Sequence, residues 1–243
     1  PLFYWDATNG ATTRAVLASS LTGASNVPTT IRKVLVSEVD RHVIAFGSNP
    51  IDSGIQDPML IRFSSQESAT DWTPTATNTA GDIRLAKGSE IITATPTSRQ
   101  ILVWTDQALY SMQFLGPPFT FGVSLLGDNI RIAGPNTVVG VNDTVYWMGQ
   151  ENFYVYDGRI QAIPCTVRDY VFNDMNNQQS FKFHGGSISS QTEVWWFYCS
   201  ASASEIDRYV VYNYTEKAWY YGTLVRTTWN DRATGLRSFP QAT

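Results

Sequence analysis

The chain has 243 residues, 43% hydrophobic and 13% aromatic, with a net charge of -4 and a sequence pI near 5.1. That is enough apolar material for one large all-β domain or two smaller ones, and it excludes a disordered chain. The acidic balance argues against a protein that coats nucleic acid. Two cysteines, Cys165 and Cys199, imply buried free thiols and no disulfide framework. The longest apolar runs, such as residues 194–199, are far too short to span a bilayer as a helix.

In chain order, residues 2–5 (Leu-Phe-Tyr-Trp) read as a strand belonging to an earlier sheet, and residues 1–30 as strand plus linker. A first group of strands follows at 34–36, 43–47 and 59–63, with residues 71–73 (Asp-Trp-Thr) as a fourth. A second group reads at 91–94, 101–105 and 108–112, with 118–121 (Pro-Phe-Thr-Phe) as its fourth strand. The third group is 137–140, 145–148 and 153–156. Residues 166–175 form the one helical candidate: Thr166 offers a cap, Asp169 stands three residues on, and Val167, Tyr170, Val171 and Met175 make a helix-spaced stripe. The fourth group is 187–189, 194–198, 209–212 and 218–221, and residues 226–243 read as the lead into a following sheet.

Tyr146, Trp147, Phe153, Tyr154 and Tyr156 show what these groups need. Successive side chains on a strand point to opposite faces, so the hairpin they form is apolar on both and must be covered on both. The second strands begin at 43, 101, 145 and 194, spacings of 58, 44 and 49 residues. A repeat of roughly 40–50 residues with several strands each marks a β-propeller. The expected fold is therefore all-β, a propeller-like array of about four antiparallel blades over residues 31–225, with the chain ends falling between blades of a longer protein. A β-sandwich with coincident spacing is the competing reading.

No catalytic set stands out. His42 and His184 are the only histidines, neither has a ligand partner at useful spacing, and both read as structural. Residues 81–89 carry the residue types of a phosphate loop in the wrong order and read as a loop leading into a strand. His184-Gly185-Gly186-Ser187 is similar to the oxyanion loop of some esterases, but no G-x-S-x-G elbow accompanies it, and the glycines read as serving a turn or close packing. Asp106, Asp143, Asp157 and Asp207 lie in turns, where aspartate ordinarily bonds its own backbone. Glycoside cleavage by paired carboxylates is the enzyme alternative, yet the repeated boxes of sialidase propellers are absent. Asn142-Asp143-Thr144 and Asn213-Tyr214-Thr215 match the glycosylation pattern, which also arises by chance.

Four long phrases do carry a resemblance: "SSQESATDWTPTATNTAGDIRLAKGSEI", "ILVWTDQALYSMQFLGPPFTFGVSLLGDNIRIAGPN", "VYWMGQENFYVYDGRIQAIPCTVRDYVFNDMN" and "EIDRYVVYNYTEKAWYYGTL". Over roughly residues 30–232 the chain resembles the tail nozzle proteins (tail tubular protein B) of short-tailed bacteriophages and related propeller-bearing tail proteins. The resemblance implies a virion structural protein without enzymatic activity or cofactor. It implies assembly with itself as a ring, commonly six-fold, in contact with adaptor and fibre proteins, with viral DNA passing transiently through the lumen. A ring needs a heterologous interface that closes on itself. Trp72, Arg131, Arg168 and Trp229 are of the residue types enriched at such interfaces and are the candidate interface residues. The alternative is a carbohydrate-binding or carbohydrate-cleaving propeller at the host surface, of fibre or adaptor type. A host-cell scaffold propeller that binds protein partners is the third reading.

Overall fold

Each strand group expected from the sequence is present in the computed structural model, which describes every residue except Glu38, Thr227, residues 231–240 and Thr243. The fold is all-β, with four antiparallel sheets of four strands among the described residues, each built from four consecutive strands. The chain divides into two compact units, residues 1–129 and 130–243, with two of these sheets in each.

In the first unit, β1 (Phe3–Tyr4) pairs with β2 (Val16–Leu17) in a ribbon whose four residues are all exposed. The first full sheet is β3 (Lys33–Val36), β4 (Val43–Phe46), β5 (Leu60–Phe63) and β6 (Gly81–Arg84). The second is β7 (Ile91–Pro96), β8 (Ile101–Thr105), β9 (Ala108–Gly116) and β10 (Thr120–Asp128). Strand alternation sends Ile44, Phe46, Ile61 and Phe63 into one core with Ile91, Ile101, Val103, Tyr110 and Met112. Each such side chain contributes about 1.5–3 kcal/mol relative to exposure.

Two expectations are corrected here. The fourth strand of the first sheet is β6 and not residues 71–73: Asp71 makes a single bridge to Ser25, and Pro74 behind Thr73 has no N–H to extend a ladder. Residues 81–89 accordingly run from strand into loop, the reverse of the order read from sequence. In the second sheet, residues 118–121 are the end of a turn and the start of β10. The Pro117–Pro118 peptide is cis and Thr120 has φ 56°, after which the strand continues to Asp128. Nor is residues 1–30 a mere linker, because Ala18 and Val27 are buried beside Trp72 and Ala45.

The second unit holds β11 (Val138–Val141), β12 (Thr144–Met148), β13 (Phe153–Tyr156) and β14 (Ile160–Ile163) in one sheet. After α1 (Arg168–Asn173) come β15 (His184–Ile188), β16 (Glu193–Tyr198), β17 (Arg208–Asn213) and β18 (Ala218–Thr223) in the other. Asn142 and Asp143, with φ 47° and 65°, form the two-residue turn between β11 and β12, a geometry these residue types tolerate. Tyr146, Met148 and Phe153 face Trp196, Val194 and Tyr212, and the Phe153 and Trp196 rings lie 4.9 Å apart. On the hairpin's other face Trp147 is fully buried and stacks on Tyr154 at 5.3 Å. Both faces are covered, as their composition demands.

α1 is shorter than the helix expected over 166–175, and Thr166 does not cap it: the cap position is Val167, with no side-chain bond, and Asp169 pairs with Arg168 instead. Val171 and Met175 are buried, but Tyr170 of the expected stripe is exposed. The first strand of the last sheet covers 184–188 and not 187–189, so Gly185 and Gly186 are strand residues. Beyond β18, β19 (Trp229–Asn230) pairs with β20 (Gln241–Ala242). The rest of the expected lead-in over 226–243 lies largely outside the described residues.

Candidate interaction surfaces

The four candidate interface residues divide between the units. Trp72, in the first, is 1% exposed and packs against Ala18, Val27 and Ala45 on the face of the first sheet away from the second. It is a core residue, and this corrects its reading as an interface side chain. Beside it the buried Arg62 guanidinium donates to the carbonyls of Asn26 (2.5 Å), Asn49 (3.2 Å) and Trp72 (3.4 Å), and lies 6.0 Å from the Trp72 ring. Burial depresses the Arg62 pKa.

In the second unit, Arg131 is exposed and reaches Gln150 at 3.5 Å, while Arg168 donates to Asn152 at 2.8 Å and pairs with Asp169 at 3.0 Å. The structure thus brings these two arginines to one place, the β12–β13 turn. Trp229 is elsewhere, on the face of the last sheet opposite the β11–β14 sheet. It stacks on Trp195 at 5.4 Å, approaches Phe197 at 5.5 Å, and its indole N–H donates to the Ser187 carbonyl at 3.1 Å. A Cβ on Gly186 would run into the Trp229 ring, and one on Gly185 would run into Val139 and meet Trp196 at 3.2 Å. The paired glycines permit this close packing.

The groups set aside for chemistry are occupied structurally. His42 is fully buried among Phe63, Phe114 and Phe121, with Nε2 3.0 Å from the Thr79 hydroxyl. His184 stacks on Phe197 at 4.7 Å. Burial is the largest influence on both and holds each imidazole below its ordinary pKa. Asp106 accepts from the Ser89 amide (2.7 Å) and hydroxyl (2.8 Å) as well as from its own backbone. Burial would raise its pKa, and those bonds outweigh it and lower it. Asp207 accepts from the Ser200 amide and hydroxyl at 2.8 and 2.7 Å. Cys199 is buried as expected, whereas Cys165 is half-buried, and burial pushes its thiol up to about 11. Asn213 is buried and bonded to Thr192, Thr215 and Glu216, so its sequon is a chance match. Among the described residues no three His, Cys, Asp or Glu side chains converge as a metal site, and no helix is long and apolar enough to cross a membrane.

What sequence reasoning missed is exposed apolar surface. The tip of the β9–β10 hairpin presents Leu115 and Phe119, 59% and 73% exposed, in a stretch without charge from Gln113 to Phe119. The β1–β2 ribbon presents Phe3 and Val16, with Trp5 beside them. The aromatic phrase "QFLGPPF" was legible as sequence, but not that Phe114 packs against His42 and Phe121 while Leu115 and Phe119 are left exposed.

No protein-family model matches the chain, and no curated protein matches it in sequence. Among solved structures, it is similar to a chain in an S. cerevisiae assembly of a Dbp5 variant bound to Nup159, a Gle1 variant, IP6 and ADP, with 10% identity and a TM-score of 0.31. That alignment covers 81% of this chain and 61% of the other, so the protein spans about three fifths of the other's length. A likeness this slight carries no argument about function.

Proposed function

We propose that the chain is a structural subunit of a phage virion, part of the tail nozzle ring through which DNA is ejected, with its sheets arranged as propeller blades. The observation that carries this reading is the presence of two exposed apolar surfaces on the first unit, the β1–β2 ribbon and the β9–β10 tip. Large exposed apolar patches mark association sites, and a ring of heterologous contacts needs two different patches on each subunit. The resemblance of residues 30–232 to nozzle proteins supplies the setting: a six-fold ring in the tail, touching adaptor and fibre proteins. The net charge of -4 suits a conduit, because a basic lining would hold phosphates through counterion release. No catalytic role or cofactor is assigned.

Electron microscopy of the purified protein tests the proposal. Rings with a channel of roughly 20 Å or more, wide enough for a duplex whose major groove alone is about 12 Å across, are the expected result. Single particles at every concentration, unaltered by Leu115→Asp and Phe119→Asp, would count against it.

A further inference from the structure

We infer that the surface between α1 and strands β16–β18 binds a sugar ring of a neutral glycan, with Tyr170 and Tyr221 stacking on it and Asp174, Arg208 and Tyr198 bonding its hydroxyls. Tyr170 and Tyr221 are 44% and 50% exposed, and their ring centroids lie 4.3 Å apart at 42°. The sheet register explains their neighbours. Tyr198 pairs with Arg208, and Trp196 pairs with Val210, which pairs with Tyr221. Alternation therefore puts Tyr198, Arg208 and Tyr221 on the face that α1 overlies.

The polar groups there are under-used. Arg208 Nε reaches Asp174 Oδ2 only at 3.4 Å, and both side chains keep about a third of their surface exposed (28% and 33%). Tyr198 is fully buried, yet its hydroxyl has no hydrogen-bond partner among the described residues. Burial foremost, then the charge of Asp174, raises its pKa, so it stays protonated and able to donate. Adjacent Asp207 is satisfied by Ser200, so the unpaired phenol is not part of a generally loose region. Buried polar groups without partners call for an explanation, and a bound ligand is one.

The chemistry selects the ligand. Arg208 stands among two carboxylates, Asp174 and Asp207, whose net negative charge disfavours an anion, while the guanidinium itself disfavours a cation. Together with the phenol they offer donors and acceptors to vicinal hydroxyls, while exposed rings suit the apolar C–H face of a pyranose. The inference stands apart from the ring proposal and needs no oligomer.

Saturation-transfer NMR on the full chain with the methyl glycosides of glucose, galactose and N-acetylglucosamine tests it. Transfer to ring protons of at least one glycoside is expected, with an affinity on the order of millimolar for so few atoms. Tyr221→Ala should weaken binding about tenfold, a loss of one stacking contact. Tyr198→Phe removes a single oxygen and should weaken it severalfold without lowering Tm. Tyr220→Ala, on the opposite face of β18, should leave binding unchanged. Absence of transfer from the folded protein to any of the three glycosides would overturn the inference, as would equal losses in Tyr220→Ala and Tyr221→Ala. A response only to extended peptides, read at β18 amides, would overturn it in favour of strand addition.

Discussion

The two units close the free face of a sheet by opposite chemistry. In the first, a buried Arg62 threads three backbone carbonyls and Trp72 seals the site. In the second, Trp229 lies flat on Trp195 above a glycine, with one hydrogen bond. A buried guanidinium is favourable only while every carbonyl stays in place, because its desolvation has already been incurred. Stacked rings tolerate a shift. The first closure is specific and brittle, the second adaptable.

Breaking each closure should expose that contrast. Trp72→Ala, a fully buried ring, should cost about 3–5 kcal/mol, the same range expected for the core substitutions Trp104→Ala and Trp147→Ala, all read by urea denaturation. Arg62→Met should cost about 1–3 kcal/mol, since it leaves the carbonyls of Asn26, Asn49 and Trp72 without their donor. Trp229→Ala should cost about 1–2 kcal/mol, because the ring is only half-buried. If Trp229→Ala proves as damaging as Trp72→Ala, the contrast fails.

The smallest effect is a shared one. His42 in the first unit and His184 in the second both have folded-state pKa values below 6.5. The unfolded chain then binds the proton more tightly. Each contributes stability that is complete above about pH 6.5 and is lost as pH falls from there through the lowered folded-state value. Tm measured from pH 8 to 5 should decline at the acid end, and His184→Phe should flatten that decline for the second unit alone. A Tm that rises toward pH 5 would contradict the burial of both rings.

Much of the fold was legible because both-face apolar hairpins admit few arrangements. The second strands were read correctly from residues such as Trp104, Trp147 and Trp196, all of which are buried. Fourth strands were the weak point. β14 carries only the alternation Ile160-Gln161-Ala162-Ile163 after a glycine turn, and Trp72 drew attention from the plainer Gly81–Arg84. Edge strands have one partner and little need for aromatic weight, so their sequences advertise less. Surface sites were less legible still. Residue type marked Trp72 as an interface side chain when its burial depends on residues more than forty positions away, and the association of Tyr170, Tyr198, Arg208 and Tyr221 arises from register and a short helix.

The order of strands has a consequence for how the protein is made. Since each four-stranded sheet among the described residues uses four successive strands, no strand of these sheets waits for a distant partner, and the loops closed in forming them are local. A nascent chain can finish one sheet before the next is synthesised. The first unit, complete by residue 129, can bury its apolar hairpins while the second is still on the ribosome, which limits the time that so many aromatic strands spend exposed to one another.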